Sequence, residues 1–173
     1  MALSKVLEEK INEQINKEYY SAQLYLSMAA YFERQGLKGF ANRLYVQYQE
    51  EQTHAQKFYR YINEKGGTIK LNSTGEVKFH WENAIEVFKE ILAHEEYVTK
   101  CINEIADVAL AEKDHATFGF LQWFINEQVE EESSVSDTLA KLKLVNGEGS
   151  GMFIIDKDLS LVTFIDKTLT PAG

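Results

Sequence analysis

Residues 44–62 read LYVQYQEEQTHAQKFYRYI. Apolar side chains recur at Leu44, Tyr48, Ala55, Phe58 and Ile62, in the steps of three and four that press one face of an α-helix against a core. Glu51 breaks the pattern at the middle of that face, and His54 follows three residues later, one turn further on the same side. Three other stretches repeat the design. They carry the stripes Ile11, Ile15, Glu18, Ala22, Tyr25, Ala29, Phe32; Phe88, Ile91, Glu95, Val98, Ile102, Ile105, Ala109; and Leu121, Phe124, Gln128, Glu131, Val135, Thr138, Leu142. Each is interrupted near its midpoint by a carboxylate.

The breakers in the sequence define the segments. Pro171 is the only proline, and the glycines cluster at 36 and 39, at 66, 67 and 75, and at 147, 149 and 151. Asp114, in the polar run Glu112-Lys113-Asp114-His115, supplies a helix N-cap and a further break. The expected helices cover about 4–35, 38–65, 82–112 and 115–146. Each has roughly 30 residues, or about 45 Å of helix. Short connections make the first pair and the last pair antiparallel hairpins. Residues 66–81 are too long for a tight turn and lack helical periodicity, so they are expected to run the length of the bundle and leave the second and third helices parallel. A short fifth helix is expected at about 156–166, carrying Leu159, Leu161, Val162 and Ile165. The fold class is therefore all-α: an antiparallel four-helix bundle with one long crossover, in a single domain.

Composition fits that reading. The chain has 173 residues, 45% of them apolar, enough to bury a core. A net charge of −9 repels phosphate backbones and anionic lipids and attracts cations, which argues against nucleic-acid and membrane partners. The lone cysteine, Cys101, can form neither an internal disulfide nor a thiolate metal cage, and is read as a small packed residue. There is no basic, apolar leader and no apolar run long enough to span a bilayer, so the expected compartment is the cytosol.

In a bundle of hairpins the four midpoints fall at similar heights, so Glu18, Glu51, Glu95 and Glu131 are expected to converge. Two like charges about 4 Å apart repel by roughly 4 kcal/mol at an effective dielectric near 20. The stripes hold no lysine or arginine to offset this, so the carboxylates must take up protons or share cations of high charge. Four carboxylates match two divalent ions, and His54 adds an imidazole beside Glu51. Oxygen-rich ligation with one imidazole suits iron or manganese. A bridging carboxylate, Glu51 or Glu131, would hold two ions close enough for both to reduce one dioxygen. A single Glu-x-x-His pair means little, because chance supplies it. Four carboxylates at one depth mean far more.

These residues also resemble a known family. Glu18-Tyr19-Tyr20-Ser21, Gln49-Glu50-Glu51-Gln52-Thr53-His54, His94-Glu95, Phe120-Leu121-Gln122-Trp123-Phe124 with Glu127-Gln128-Val129-Glu130-Glu131-Glu132, and the tail Phe153-Ile154-Ile155-Asp156-Lys157-Asp158-Leu159-Ser160 are similar, in order, to the prokaryotic non-haem ferritins. The resemblance implies a ferritin-like four-helix bundle with a short fifth helix, and 24 subunits closed into a hollow shell. It also implies oxidation of Fe(II) by dioxygen or peroxide before storage as a ferric mineral. Carried over by position, Glu18, Glu51 and His54 would hold one iron, Glu95 and Glu131 the other, with Glu51 between them and Gln128 beside the open face. A third iron site would add Glu50, Glu127 and Glu130 around Glu131, although spacing alone reads those three equally well as a solvated acidic flank. Tyr25 would stand near the ligands, where a packed core tyrosine would look the same, and Trp123 is read first as packing. His80, His94 and His115 lie off the stripes and receive no chemistry.

Two departures separate the chain from bacterioferritins and soluble di-iron oxidases. The fourth helix has Gln128-x-x-Glu131 in place of a second Glu-x-x-His, and Gln52 follows Glu51 where a haem-binding methionine would stand, so no haem is expected. A DNA-protecting mini-ferritin would carry a basic arm, which Met1-Ala2-Leu3-Ser4-Lys5 is not. A bundle without redox chemistry would be expected to lose ligand positions, and here every one is present. The apolar Met152-Phe153-Ile154-Ile155, beyond an already complete bundle, points to a homo-oligomer.

Overall fold

Ser4 opens the first helix: its side chain accepts the Leu7 N–H at 3.1 Å. The computed structural model describes residues 2–169. These form α1 (Lys5–Gln35), α2 (Lys38–Glu64), α3 (Ala84–Ala111), α4 (His115–Leu144), α5 (Gly149–Leu159) and a 3-10 turn at Lys167–Leu169, with no strand among the described residues. Gly36, at φ 76°, ends α1 in the left-handed conformation, and only Leu37 then separates it from α2. Between α3 and α4, Asp114 accepts the Thr117 N–H at 3.0 Å and its hydroxyl at 2.6 Å. Both pairs are the expected antiparallel hairpins.

The crossover is fastened to α1 along its length. Asn12 donates to the Thr68 carbonyl (2.8 Å) and accepts the Lys70 N–H (2.6 Å); Asn16 donates to the Lys70 carbonyl (3.0 Å) and accepts the Asn72 N–H (2.7 Å). Two asparagines four residues apart thus give an extended segment the partners a strand would otherwise provide. Further along, Ser27 donates to the Lys78 carbonyl and Arg34 to that of Phe79. The chain reaches the far end of α1 before α3 begins, which leaves α2 and α3 parallel.

The apolar interior is divided in two. One cluster gathers Met28, Phe32, Phe40, Trp81, Phe88 and Leu142; the other gathers Leu7, Ile11, Ile15, Phe58, Ile62, Leu121 and Phe124. The interrupted stripe positions lie between them.

The fifth helix differs from expectation. It occupies Gly149–Leu159, not 156–166, and Leu161 and Ile165 lie exposed beyond it. The glycines that look like breakers are what allow the start of the helix to pack. Gly147 turns the chain at φ 65°, and a Cβ on Gly151 would come within 2.3 Å of Val145 Cγ1. Helix α5 then completes α2. Leu37 provides no side-chain cap, and Asp156 Oδ1 instead accepts the N–H groups of Gly39 (2.8 Å) and Phe40 (3.0 Å).

Candidate metal centre

Each helix of the bundle sends its interrupting side chain to the layer between the two apolar clusters. Glu18 from α1, Glu51 and His54 from α2, Glu95 from α3, and Gln128 and Glu131 from α4 are each at most 5% exposed. One ligand atom from each of Glu18, Glu51 and His54 lies within 4.8 Å of the others. His54 Nδ1 is 3.6 Å from Glu51 Oε2. Tyr25 donates to Glu95, and Gln128 Nε2 donates to Glu95 Oε2 at 3.0 Å. Gln128 therefore ties α4 to the α3 carboxylate.

Three features of the site lie off the stripes. Gln14 donates to Glu18 (2.8 Å) and Gln47 to Glu51 (2.9 Å), each from one turn before its carboxylate. That repeated Gln-x-x-x-Glu spacing is visible in the sequence. Arg43 is the third: the stripes themselves hold no basic side chain, and Arg43 reaches the carboxylates from off them. Its guanidinium is 3.4 Å from Glu50 and 3.8 Å from Glu131. Even so, Glu131 Oε2 is buried without a hydrogen-bond partner. A buried carboxylate oxygen left without a hydrogen bond is costly, and a metal ion is the kind of partner that removes the cost. Carboxylates with one imidazole are the donor set of iron or manganese.

The electrostatics follow from crowding. Burial, then Glu51, pushes Glu18 well above the usual carboxylate range. Burial, then Glu51 and Glu131, raises Glu95 to about 8; burial, then Glu51 and Glu50, raises Glu131 to about 7. Burial would depress His54, but the facing Glu51, with Glu18 and Glu131, lifts it to about 10. Burial also acts to raise Glu51, yet contact with His54 holds it below its ordinary value. Without metal, Glu18, Glu95, Glu131 and His54 hold protons more tightly than usual, and Glu51 less tightly.

That state predicts a pH dependence. His54 adds stability in full below its unfolded pKa near 6.5 and loses it as pH rises toward 10. Glu95 and Glu131 begin to oppose folding once pH passes the unfolded value near 4.5 and solvent favours their ionised forms. All three terms have the same sign. The Tm of the metal-free protein is expected to fall from roughly pH 5 to roughly pH 9, and saturating Zn(II), which replaces the protons, is expected to flatten the slope. Thermal melts at a series of pH values, with and without Zn(II), check this.

Tyr25 is fully buried, in contact with Glu95 and edge-on to His94 at 5.9 Å between ring centres. His94 itself pairs with Ser21 at 2.8 Å. Trp123 stands edge-on to His54 at 5.4 Å, with the Lys57 ammonium 4.5 Å above its ring. Cys101 is buried, as expected, with Lys17 Nζ 3.3 Å from its sulfur. The residues expected at a third iron site are engaged by basic side chains: Glu50 by Arg43, and Glu127 and Glu130 by Lys167. Nothing in the spacing announced Lys167, which lies far along the chain from both glutamates.

Comparison with known proteins places this arrangement. A family model described as a ferritin-like domain matches residues 8–145. The bacterial non-heme ferritin of Staphylococcus aureus (strain USA300) is 37% identical over 165 residues, covering 95% of this chain and 99% of that protein. The bacterial non-heme ferritin of Bacteroides fragilis (strain 638R) is 42% identical over 157 residues, covering 91% and 98%. Among solved structures, an Archaeoglobus fulgidus ferritin engineered into a closed form superposes with a TM-score of 0.93 at 45% identity, covering 95% of this chain and all of that one. The open-pore ferritin of the same archaeon gives 0.91 at 45%, covering 93% and 98%.

Proposed function

The chain belongs to the ferritin family, and from that premise we propose that it stores iron, oxidising Fe(II) at the mid-bundle layer and holding the ferric product inside a closed 24-subunit shell. The observation that carries the proposal is the buried layer itself. Glu18, Glu51 and His54 offer ligand atoms within 4.8 Å of one another, beside a Glu131 oxygen with no hydrogen-bond partner, in a bundle that is otherwise apolar at its axis.

Fe(II) is the substrate. Glu18, Glu51 and His54 hold one ion, Glu95 and Glu131 the second, and Glu51 lies between them. Each ferrous ion gives up one electron, and the oxidant is dioxygen or peroxide. As the ions enter, Glu18, Glu95, Glu131 and His54 give up their protons, and the carboxylates then balance the charge. Gln14 and Gln47 keep Glu18 and Glu51 oriented through their 2.8 and 2.9 Å hydrogen bonds. Gln128 and Tyr25 hold Glu95 from either side, which leaves Tyr25 close enough to donate a proton or an electron. Glu50, Glu127 and Glu130 form the third site, on the flank toward which ferric product leaves.

Assembly has support from the surface. Phe153 and Ile154 on α5 are 71% and 60% exposed, and a shell contact would cover them. The acidic walls of such a shell would draw ferrous ions inward. No helix among the described residues is long and apolar enough to cross a membrane, which fits a shell working in the cytoplasm.

Aerobic addition of excess Fe(II), followed by size-exclusion chromatography, tests the proposal. Iron is expected to elute with protein at the mass of the closed shell. Iron that precipitates at the rate seen in buffer alone, with protein eluting as a single chain, would overturn it.

A further inference from the structure

Beyond α5 the chain doubles back. Asn42 Nδ2 donates to the carbonyls of Leu159 (3.1 Å) and Val162 (2.9 Å), and the following residues lead to the 3-10 turn at Lys167–Leu169, which packs on α2. Two polar links fix the turn. Arg60 Nη2 donates to Thr168 Oγ1 at 3.0 Å, and Asp166 Oδ1 accepts the Thr168 N–H at 2.9 Å and its hydroxyl at 2.6 Å. This places Lys167 Nζ 3.0 Å from Glu127 and 2.8 Å from Glu130.

Glu127 is one helical turn before Glu131 and adjacent to Gln128, so the ammonium stands at the edge of the metal layer. We propose that residues 160–169 form a latch in which the Lys167 ammonium occupies a cation site between Glu127 and Glu130, and that a multivalent cation binds there by expelling it. The latch rests on the ferroxidase reading of the buried layer, since it governs the same flank of that site.

The argument is one of charge and tethering. Two carboxylates three residues apart on one helix face repel, and a single positive charge between them relieves the repulsion. The tether keeps that charge present at high effective concentration, so a monovalent ion from solution competes poorly. Attraction to the carboxylate pair grows with cation charge, so a trivalent ion displaces the ammonium more readily than a divalent one. Lys167 thereby favours occupation of this flank by oxidised metal over its reduced form. Glu130 and Lys167 are both partly solvated, with side-chain exposures of 67% and 42%, so the contact can open without unfolding the bundle.

Tb(III) tests the latch in the full-length assembled protein. Two equivalents of redox-silent Zn(II) per chain first fill the buried layer, and Tb(III) is then titrated by luminescence sensitised through Trp123, one turn from Glu127. K167A and K167Q are expected to bind this Tb(III) about five-fold more tightly than the parent chain, as the partly exposed ion pairs to Glu127 and Glu130 are lost, with K167R close to the parent. E127Q with E130Q removes the binding. Hydrogen exchange in residues 160–169 is expected to speed up when Tb(III) binds the parent chain. Equal Tb(III) affinity in the parent and K167A, no Tb(III) binding in either, or undiminished protection of 160–169 on binding would overturn the latch. Failure to take up the two Zn(II) equivalents would instead overturn the buried-layer reading beneath it.

Discussion

Glu51→Ala is expected to slow the initial oxidation of Fe(II) by about a hundred-fold or more, read by stopped-flow absorbance with two ferrous ions per chain in air. Glu51 is the one carboxylate of the layer held below its ordinary range in the metal-free chain, and it faces both His54 and Glu18. On the proposed site, its removal would deprive both ions of their shared ligand and leave His54 without its counter-charge. His54→Ala is expected to have a similar effect by removing the imidazole that faces Glu51 and Glu18. Loss of fold would mimic neither result undetected, because helix content by circular dichroism reports it separately. An unchanged rate in either variant would remove the mechanism.

Gly39→Ala is the largest expected effect on stability. Gly39 looks like part of a turn beside Gly36, yet it lies in the first turn of α2 with α5 directly against it. A Cβ there would stand 1.6 Å from the Asp156 carbonyl oxygen and 2.5 Å from its carbon, both backbone atoms that no rotamer change can move. Helix α5 must therefore shift, and the Asp156 cap on Gly39 and Phe40 is lost with it. The substitution is expected to lower Tm by roughly 5–10 °C and to speed hydrogen exchange throughout α5. Gly119→Ala makes the contrast. Its added Cβ meets nothing within 4 Å inside helix α4, so the same change is expected to raise stability by about 0.5–1 kcal/mol. Equal melting temperatures for Gly39→Ala and the parent would contradict the close α2–α5 packing.

The contrast between these glycines shows what a sequence discloses. Four helices and the crossover were legible because breakers and stripe periodicity are local signals. The fifth helix starts earlier than its glycines suggest because Gly149 takes a left-handed φ of 68° at the helix start and Gly151 packs closely against Val145, and in one dimension both look the same as a break. In the site, Glu18, Glu51, His54, Glu95 and Glu131 could be read because each interrupts an apolar face, and all five lie in the layer between the two cores. Gln14 and Gln47 could have been read from their four-residue lead over two of those carboxylates. Arg43 and Lys167 could not. Long basic side chains reach their partners from off the stripe, and Lys167 arrives on a strap whose path depends on where α5 ends.

The layer also explains why the bundle keeps a costly middle. Apolar side chains at those positions would join the two cores into one and stabilise the metal-free chain. Their absence makes sense if the layer is completed by its substrate.

Crystals soaked anaerobically in Fe(II), with anomalous diffraction recorded at the iron edge, test this most directly. Two peaks per chain are predicted in the mid-bundle layer, one among Glu18, Glu51 and His54 and the other between Glu95 and Glu131. Featureless density there, with the carboxylates turned toward solvent, would contradict it.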